Sequence, residues 1–246
     1  MNSQILLVTS LLAGLSASGQ TLYDINFNVP DQSVNALVVT GAAPQYISQI
    51  VFGSPTVVSS FGVLTDQPLR LDMIKNPAPF YYDQVQLDFD YLHLTTLDVS
   101  FDFTSAGLIG SNGHLAVLLD AYTVQSIDFE NNGRISLISR SDGGAFQATD
   151  IGGFTDGEAF RFQAHVDTMH SQWTAYKDGV ILGQSPFNPD GDLWSIRFSY
   201  GTRSSDAPSD ASAVGIDNIV VTVPEPAHLT EYAVGLGLMW LRFRKR

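Results

Sequence analysis

The feature that most constrains this fold is an alternation of apolar and polar side chains with a period of two residues. It recurs in four segments, which cover residues 85–91, 97–103, 160–166 and 194–200. Successive side chains of a β-strand point to opposite faces, so each segment predicts a strand with one buried and one exposed face. Residues 115–119 are all apolar, so both faces of this segment are apolar, and they predict a strand at the centre of a sheet.

Short turn signals separate the predicted strands. They are Asn112-Gly113, Asn131-Asn132-Gly133, Asp142-Gly143-Gly144, Asp156-Gly157 and Asp178-Gly179. Asn-Gly and Asp-Gly pairs adopt the positive φ angles of tight hairpin turns. Residues 20–223 show no amphipathic helix and no internal repeat. Many short strands joined by hairpin turns predict a single all-β domain, a two-sheet antiparallel sandwich or a barrel.

Two stretches carry a family resemblance. Residues 160–167 and 172–183 predict three consecutive strands with a Tyr176-Lys177-Asp178-Gly179 turn, and residues 214–222 predict a closing strand with an Ile216-Asp217 pair. These stretches are similar to the hairpin series and last strand of concanavalin A-like lectin/glucanase domains of the laminin-G type. The resemblance implies that residues 20–222 form a jelly-roll sandwich.

Composition excludes several classes of function. The 246 residues include 25 Asp and Glu against 12 Lys and Arg, a formal net charge of −13. Such a charge repels nucleic acid, so no nucleic-acid partner is expected. Cysteine is absent, which excludes disulfides, thiol catalysis and cysteine-based zinc sites. The five histidines have no zinc-hydrolase spacing.

The N-terminal residues predict an export signal. An apolar stretch over residues 5–15 is followed by the small residues Ser16-Ala17-Ser18-Gly19. This pattern is typical of a secretory signal peptide, here residues 1–19, which signal peptidase would remove. The alternative is an apolar first strand of the domain.

The C-terminal residues 223–246 predict a sorting segment. Val223-Pro224-Glu225-Pro226 precedes an apolar run over residues 232–241, extendable to 229, and a basic end that contains Arg242, Arg244, Lys245 and Arg246. Cations hold a short apolar helix in one orientation in a membrane. The tail resembles the PEP-CTERM sorting signal of exported bacterial proteins. The resemblance implies an exosortase partner, a transient inner-membrane anchor and a final location in the cell envelope, at the cell surface or in the extracellular matrix. The alternative is an amphipathic helix packed on the domain.

One acidic strand suggests hydrolase chemistry. In Ser126-Ile127-Asp128-Phe129-Glu130, positions 126, 128 and 130 share one face of a strand. The segment is similar to the Glu-x-Asp-x-Glu strand of laminarinase-like glycoside hydrolases. That resemblance implies an acid/base role for Glu130 and a middle acid at Asp128, but it places Ser126 at the nucleophile position. A retaining glycosidase needs a carboxylate nucleophile as well as the acid/base residue, and Ser126 is not a carboxylate, so we expect no hydrolysis. The alternative is an exposed acidic strand face.

Calcium is a possible cofactor, because acidic loops offer the oxygen ligands that it requires. The candidate ligands are Asp190 and Asp192 in a turn and Asp217 with Asn218 near the closing strand. Asp206 and Asp210 lie in a further acidic loop. The alternative is an ordinary acidic surface.

Aromatic side chains could stack on sugar rings. The candidates are Tyr81, Tyr82, Tyr122, Trp173 and Tyr176. Tyr81 and Tyr82 follow a Pro77-Ala78-Pro79 turn and are expected to be the most exposed. The alternative for each is packing in the core.

Together these observations predict an exported, non-enzymatic surface or matrix domain that binds glycan. Two alternatives remain open: a laminarinase-like glycoside hydrolase built on Asp128 and Glu130, and a structural envelope protein with no small ligand.

Overall fold

The structure is a computed structural model that describes residues 19–29, 31–73, 82–89, 94, 96–119, 125–140, 146–186, 193, 195–202 and 211–224. The chain groups into two compact units, residues 21–222 and the two ends, residues 1–20 with 223–246. Most residues of the predicted signal peptide, and the tail beyond Pro224, lie outside the described residues. Within the described part, no helix is long and apolar enough to cross a membrane.

The described secondary structure consists of fifteen strands. They are β1 (Gln20–Ile25), β2 (Gln49–Phe52), β3 (Thr56–Val57), β4 (Leu69–Asp72), β5 (Tyr82–Asp88), β6 (Thr96–Ala106), β7 (Gly113–Leu118), β8 (Ser126–Glu130), β9 (Arg134–Arg140), β10 (Phe146–Gly153), β11 (Phe160–Asp167), β12 (Gln172–Lys177), β13 (Val180–Pro186), β14 (Ser195–Thr202) and β15 (Ala213–Val223).

These strands form two sheets. The eight-stranded sheet has the order β13-β12-β11-β6-β15-β4-β3, with β1 also paired to β15. The seven-stranded sheet has the order β10-β9-β8-β7-β14-β5-β2. Every strand pair with a described register is antiparallel. The predicted all-β, two-sheet antiparallel sandwich is therefore confirmed.

The alternating segments occupy the expected positions. In β6, Leu97, Val99, Phe101 and Phe103 are buried, whereas the residues between them are partly exposed. The apolar strand β7 is the middle strand of the seven-stranded sheet, as predicted. The predicted hairpin series is also present, because β11, β12 and β13 are consecutive antiparallel neighbours.

Aromatic side chains fill the space between the sheets. Phe103 of β6 stacks on Phe129 of β8 at a centroid distance of 4.5 Å, and Phe101 meets Phe198 of β14 edge-on at 5.2 Å. Phe162 of β11 lies 5.2 Å from Phe129. These pairs join strands of opposite sheets, so the apolar faces of the alternating strands form the core.

Three of the five predicted turns have a glycine with positive φ, and Asp142-Gly143-Gly144 lies outside the described residues. Asp178 and Gly179 have φ angles of 51° and 77°, and they join β12 to β13. Gly133 has a φ of 81° between β8 and β9. The pair Asn112-Gly113 behaves differently, because it leads into β7. The positive φ angles of that longer loop are at Gly107 and Gly110.

Candidate functional site

The acidic strand β8 lies beside the centre of the seven-stranded sheet. Ile127 and Phe129 point into the core with no exposed surface, so Ser126, Asp128 and Glu130 occupy the opposite face. The predicted shared face is therefore present. Neighbouring strands place Ala116 and Ser136 on either side of Asp128.

Hydrogen bonds connect the side chains of this acidic face to one another and to their neighbours. Asp128 is only 3 % exposed, and its Oδ1 accepts a hydrogen bond of 2.6 Å from the Ser126 hydroxyl. Glu130 accepts hydrogen bonds from the Ser136 hydroxyl at 2.9 Å and from the Asn132 side-chain amide at 3.2 Å. The residue at the nucleophile position thus serves as a hydrogen-bond donor to the middle acid.

The calcium candidate Asp217 lies at a β-bulge of β15. The register with β6 shifts between Asp217 and Val220, and Asn218 has a φ of 47°. Asp217 is 2 % exposed, and its Oδ1 accepts a hydrogen bond of 2.7 Å from the Asn218 backbone N–H. Burial, with smaller effects from Asp102 and Asp66, raises the pKa of Asp217 to about 7.

An arginine supplies the positive charge beside this bulge. The guanidinium of Arg161 donates to Asp102 Oδ1 at 3.0 Å and to the Asn218 carbonyl at 2.8 Å. The Asn218 side-chain amide donates to the other oxygen of Asp102 at 2.7 Å. Both carboxylate oxygens of Asp102 therefore accept hydrogen bonds, one from a guanidinium and one from a side-chain amide.

Calcium binds six to eight oxygen ligands, which carboxylates and carbonyl groups supply. No three His, Cys, Asp or Glu side chains in the described ranges are grouped closely enough to hold a metal ion. Arg161 and Asn218 already donate hydrogen bonds to both oxygens of Asp102 and to one oxygen of Asp217, and a calcium site at Asp217 and Asn218 stays a prediction. Asp190 and Asp192 lie outside the described residues, as do Asp206 and Asp210, and a calcium site there stays a prediction.

A second buried carboxyl group is structural. Asp83 of β5 has no exposed surface, and its two oxygens accept hydrogen bonds from the backbone N–H groups of Ser54 at 2.7 Å and Asp72 at 2.8 Å. Burial raises the pKa of Asp83 to about 6, against the lowering effect of these two bonds. The group ties the loop after β2 and the end of β4 to β5.

The aromatic candidates separate into different environments. Trp173 of β12 has no exposed surface and belongs to the core, whereas Tyr176, on the opposite face of the same strand, is half-buried. The backbone of Tyr82 begins β5, and its side chain lies outside the described residues together with Tyr81 and Tyr122. Their exposure stays a prediction.

An open groove of about 490 Å³ crosses the outer face of the eight-stranded sheet. Four neighbouring strands, β15, β6, β11 and β12, supply its walls and floor. Its lining residues are Asp98, Val99, Ser100, Gln163, Ala164, His165, Tyr176, Gly179, Val220 and Thr222. The side chains of Val99 and Ala164 point to the core, so the polar residues, Val220 and Tyr176 form the surface that a ligand would meet.

Strand register arranges these side chains in two rows. Thr222, Asp98 and His165 are neighbours across β15, β6 and β11. One step along the strands, Val220, Ser100, Gln163 and Tyr176 form the second row. Neighbouring strands lie about 4.8 Å apart, so the first row, on three strands, extends for about 10 Å and the second row, on four strands, for about 14 Å.

A carboxylate and an imidazole pair within the first row. Asp98 Oδ1 lies 2.5 Å from Nδ1 of His165. A carboxylate only accepts hydrogen bonds, so the proton of this bond belongs to Nδ1, and Nε2 is the atom that can meet a ligand. In the second row, Ser100 accepts a hydrogen bond of 2.7 Å from Arg161.

Sequence reasoning did not single out the groove. The alternation of β6 and β11 already placed Asp98, Ser100, Gln163 and His165 on polar faces, and Tyr176 was an aromatic candidate. No local signal shows that β6 and β11 are neighbours, because Asp98 and His165 are 67 residues apart. The register between the two strands brings these residues together.

The fold and the groove define the described part of the chain as a β-sandwich domain. No protein-family model and no curated protein matches the sequence. Solved structures do share the fold. The receptor-binding domain of the botulinum neurotoxin C/D mosaic serotype aligns with a TM-score of 0.57 and 14 % identity, over 88 % of this chain and 51 % of that one.

Two further structures show the same likeness. A botulinum neurotoxin type C structure, described by the dependence of cell entry on two ganglioside molecules, has a TM-score of 0.54 and 10 % identity over 77 % of this chain and 48 % of that one. A sialidase has a TM-score of 0.50 and 17 % identity over 70 % of this chain and 17 % of that one. The alignments span about half the length of these proteins or less, and the low identities establish the fold alone.

Proposed function

We propose that the protein is an exported surface or matrix domain that binds glycan without cleaving it. The observation that carries this proposal is the open groove on the eight-stranded sheet, which combines a half-buried tyrosine ring with carboxylate, imidazole, amide and hydroxyl groups. Binding sites for small polar ligands combine apolar surface with a few placed polar groups. Ganglioside dependence in one structural neighbour agrees with this class of ligand.

We propose binding rather than hydrolysis because of the residues on the outward face of β8. The Ser126 hydroxyl occupies the nucleophile position of the laminarinase-like pattern, and Asp128 is buried and hydrogen-bonded to it. A retaining hydrolase needs a carboxylate nucleophile about 5–5.5 Å from the acid/base residue, and in this pattern a serine stands at the nucleophile position.

Export and sorting complete the proposal. Residues 1–19 direct export, and an exosortase-type enzyme processes the chain at or near Val223-Pro224-Glu225-Pro226. Until then, residues 229–241 anchor the protein in the inner membrane with the basic end on the cytoplasmic side. Processing then leaves the domain in the cell envelope, at the cell surface or in the extracellular matrix.

The test uses the full chain and a panel of polysaccharides. Co-sedimentation reports binding, and release of new reducing ends reports cleavage. We expect retention on at least one polysaccharide without new reducing ends. New reducing ends that disappear in Glu130→Gln would instead establish the hydrolase alternative. Neither retention nor cleavage would favour the structural alternative.

A further inference from the structure

We propose that the groove on the eight-stranded sheet is the glycan site, and that it accepts uncharged glycan chains and rejects acidic ones. This specificity rests on the proposed glycan-binding function and names the site and the ligand class. It concerns the sheet opposite to the one that carries Asp128 and Glu130.

The groove offers groups that suit sugar hydroxyls. Within the described residues, Asp98 Oδ2, the Gln163 side-chain amide and the Tyr176 hydroxyl bond to no other protein group. The carboxylate oxygen accepts, and the amide both donates and accepts. A carboxylate forms strong, charge-assisted hydrogen bonds with hydroxyl donors, which every neutral sugar carries.

Tyr176 supplies the apolar part of the site. Its side chain is half-buried at the end of the second row, beside Gln163 and close to the turn glycine Gly179. Gly179 has no side chain, so the edge of the groove beside the ring stays open. The apolar face of a sugar ring can pack on a tyrosine ring while its hydroxyl groups reach the polar row. A row of about 14 Å is longer than one sugar ring, so the site suits a chain of several sugars.

Charge decides between neutral and acidic ligands. Asp98 is the acidic residue that lines the groove, and even a protonated His165 only cancels its charge. The guanidinium of the adjacent Arg161 already donates hydrogen bonds to Asp102, Ser100 and the Asn218 carbonyl. Among the described residues that line the groove, no lysine or arginine is left to pair with a ligand carboxylate or sulfate. The formal net charge of −13 adds a repulsive field for anions.

The experiment measures affinities of the full-length protein for immobilised oligosaccharides. The uncharged probes are laminarin and mannan oligosaccharides, and the acidic probes are alginate and hyaluronan oligosaccharides and a sialyl-lactose. We expect binding to an uncharged probe that changes little with salt, because no ion pair contributes. We expect at least tenfold weaker binding to every acidic probe, on the order of 1.4 kcal/mol or more.

Groove variants separate the site from the function. Tyr176→Ala and Asp98→Asn should each weaken binding of the uncharged probe about tenfold. Tyr176→Phe keeps the ring and should retain most of the affinity. Glu130→Gln, on the other sheet, is the matched control and should bind like the wild type. Unchanged thermal melting of each variant shows that its fold is intact.

The possible outcomes distinguish the two proposals. Glycan binding that survives both Tyr176→Ala and Asp98→Asn would overturn the groove as the site and leave glycan binding itself intact. Preferential binding of an acidic probe would overturn the ligand class. Retention of no glycan at all would overturn both this inference and the proposed function.

Discussion

Asp217 shows how a buried carboxyl group contributes to the pH dependence of this domain. Its pKa in the folded protein is raised from 3.8 to about 7, chiefly by burial. The folded protein therefore holds the proton more tightly than the unfolded chain does. The resulting stabilisation is fully present below about pH 4 and is lost as the pH rises towards 7.

Replacing Asp217 by Asn should remove the contribution of this residue to the pH dependence of stability. The amide oxygen can still accept the Asn218 N–H, and no charge is buried at high pH. We expect Asp217→Asn to raise the melting temperature at pH 8 by several degrees, since one pKa unit corresponds to about 1.4 kcal/mol. At pH 4 the variant should melt like the wild type. Asp24→Asn, at an exposed position of β1, is the control. An equal shift of the melting temperature of Asp217→Asn at both pH values would contradict the role of burial.

Asp83 should matter for stability through its two hydrogen bonds. In Asp83→Ala, the backbone N–H groups of Ser54 and Asp72 lose their acceptor, and both of these hydrogen bonds are partly buried. Each unsatisfied group costs about 1–3 kcal/mol, so we expect a loss of about 2–4 kcal/mol in the free energy of unfolding.

Denaturant unfolding of Asp83→Ala and Asp83→Asn tests this reasoning. Asn keeps one acceptor oxygen, so it should lose about half as much stability as Ala does. Equal losses in the two variants would indicate that the volume of the side chain, rather than its hydrogen bonds, stabilises the region.

At the scale of elements, the β12–β13 hairpin depends on its two turn residues. Asp178 and Gly179 both have positive φ, and Asp178 Oδ1 accepts a hydrogen bond of 2.9 Å from the backbone N–H of Arg161. A Cβ added at Gly179 would meet no atom within 4 Å. The cost of a side chain there is therefore conformational rather than steric.

We expect Gly179→Ala to lower the free energy of unfolding by about 1 kcal/mol. Asp178→Asn is the matched control, because Asn tolerates positive φ and keeps an acceptor oxygen. It should change stability by less than about 0.5 kcal/mol. Denaturant unfolding measures both, and a Gly179→Ala variant as stable as the wild type would show that the turn relaxes to negative φ.

Individual strands could largely be predicted from the sequence. The alternation in β6, β11 and β14 already indicates the buried residues, because a strand has a period of two whatever its neighbours are. The closing strand β15 is also predicted, but its bulge at Asp217 is not. That bulge depends on pairing with β6, where Asn218 and Arg161 both meet Asp102.

At the scale of the whole molecule, the proposed sorting reaction makes a direct prediction. If an exosortase reads the Pro-Glu-Pro sequence, Glu225→Ala should block processing, and the protein should remain in the membrane fraction with its tail attached. Intact-mass measurement of the protein from membrane and extracellular fractions tests this. The matched control is Glu231→Ala, which removes a carboxylate of the same tail outside that sequence. Processing that continues in Glu225→Ala would refute the sorting proposal.

The candidate site could be predicted only in parts. The sequence identifies Asp128 and Glu130 as residues of one strand face, but the burial of Asp128 depends on the surrounding chain. Conversely, Asp98, His165 and Tyr176 are ordinary polar-face or aromatic residues in their own strands. They become a groove because β6, β11 and β12 are neighbours in one sheet.

The sequence by itself determined the period of the strands, the positions of several hairpin turns and the division into inward and outward faces, because these follow from backbone geometry over a few residues. Only the tertiary structure decided which outward faces meet. Strand order and register couple residues such as Asp98 and His165 across long sequence separations. The raised pKa values of Asp83 and Asp217 have the same origin, because burial is a property of the assembled sandwich.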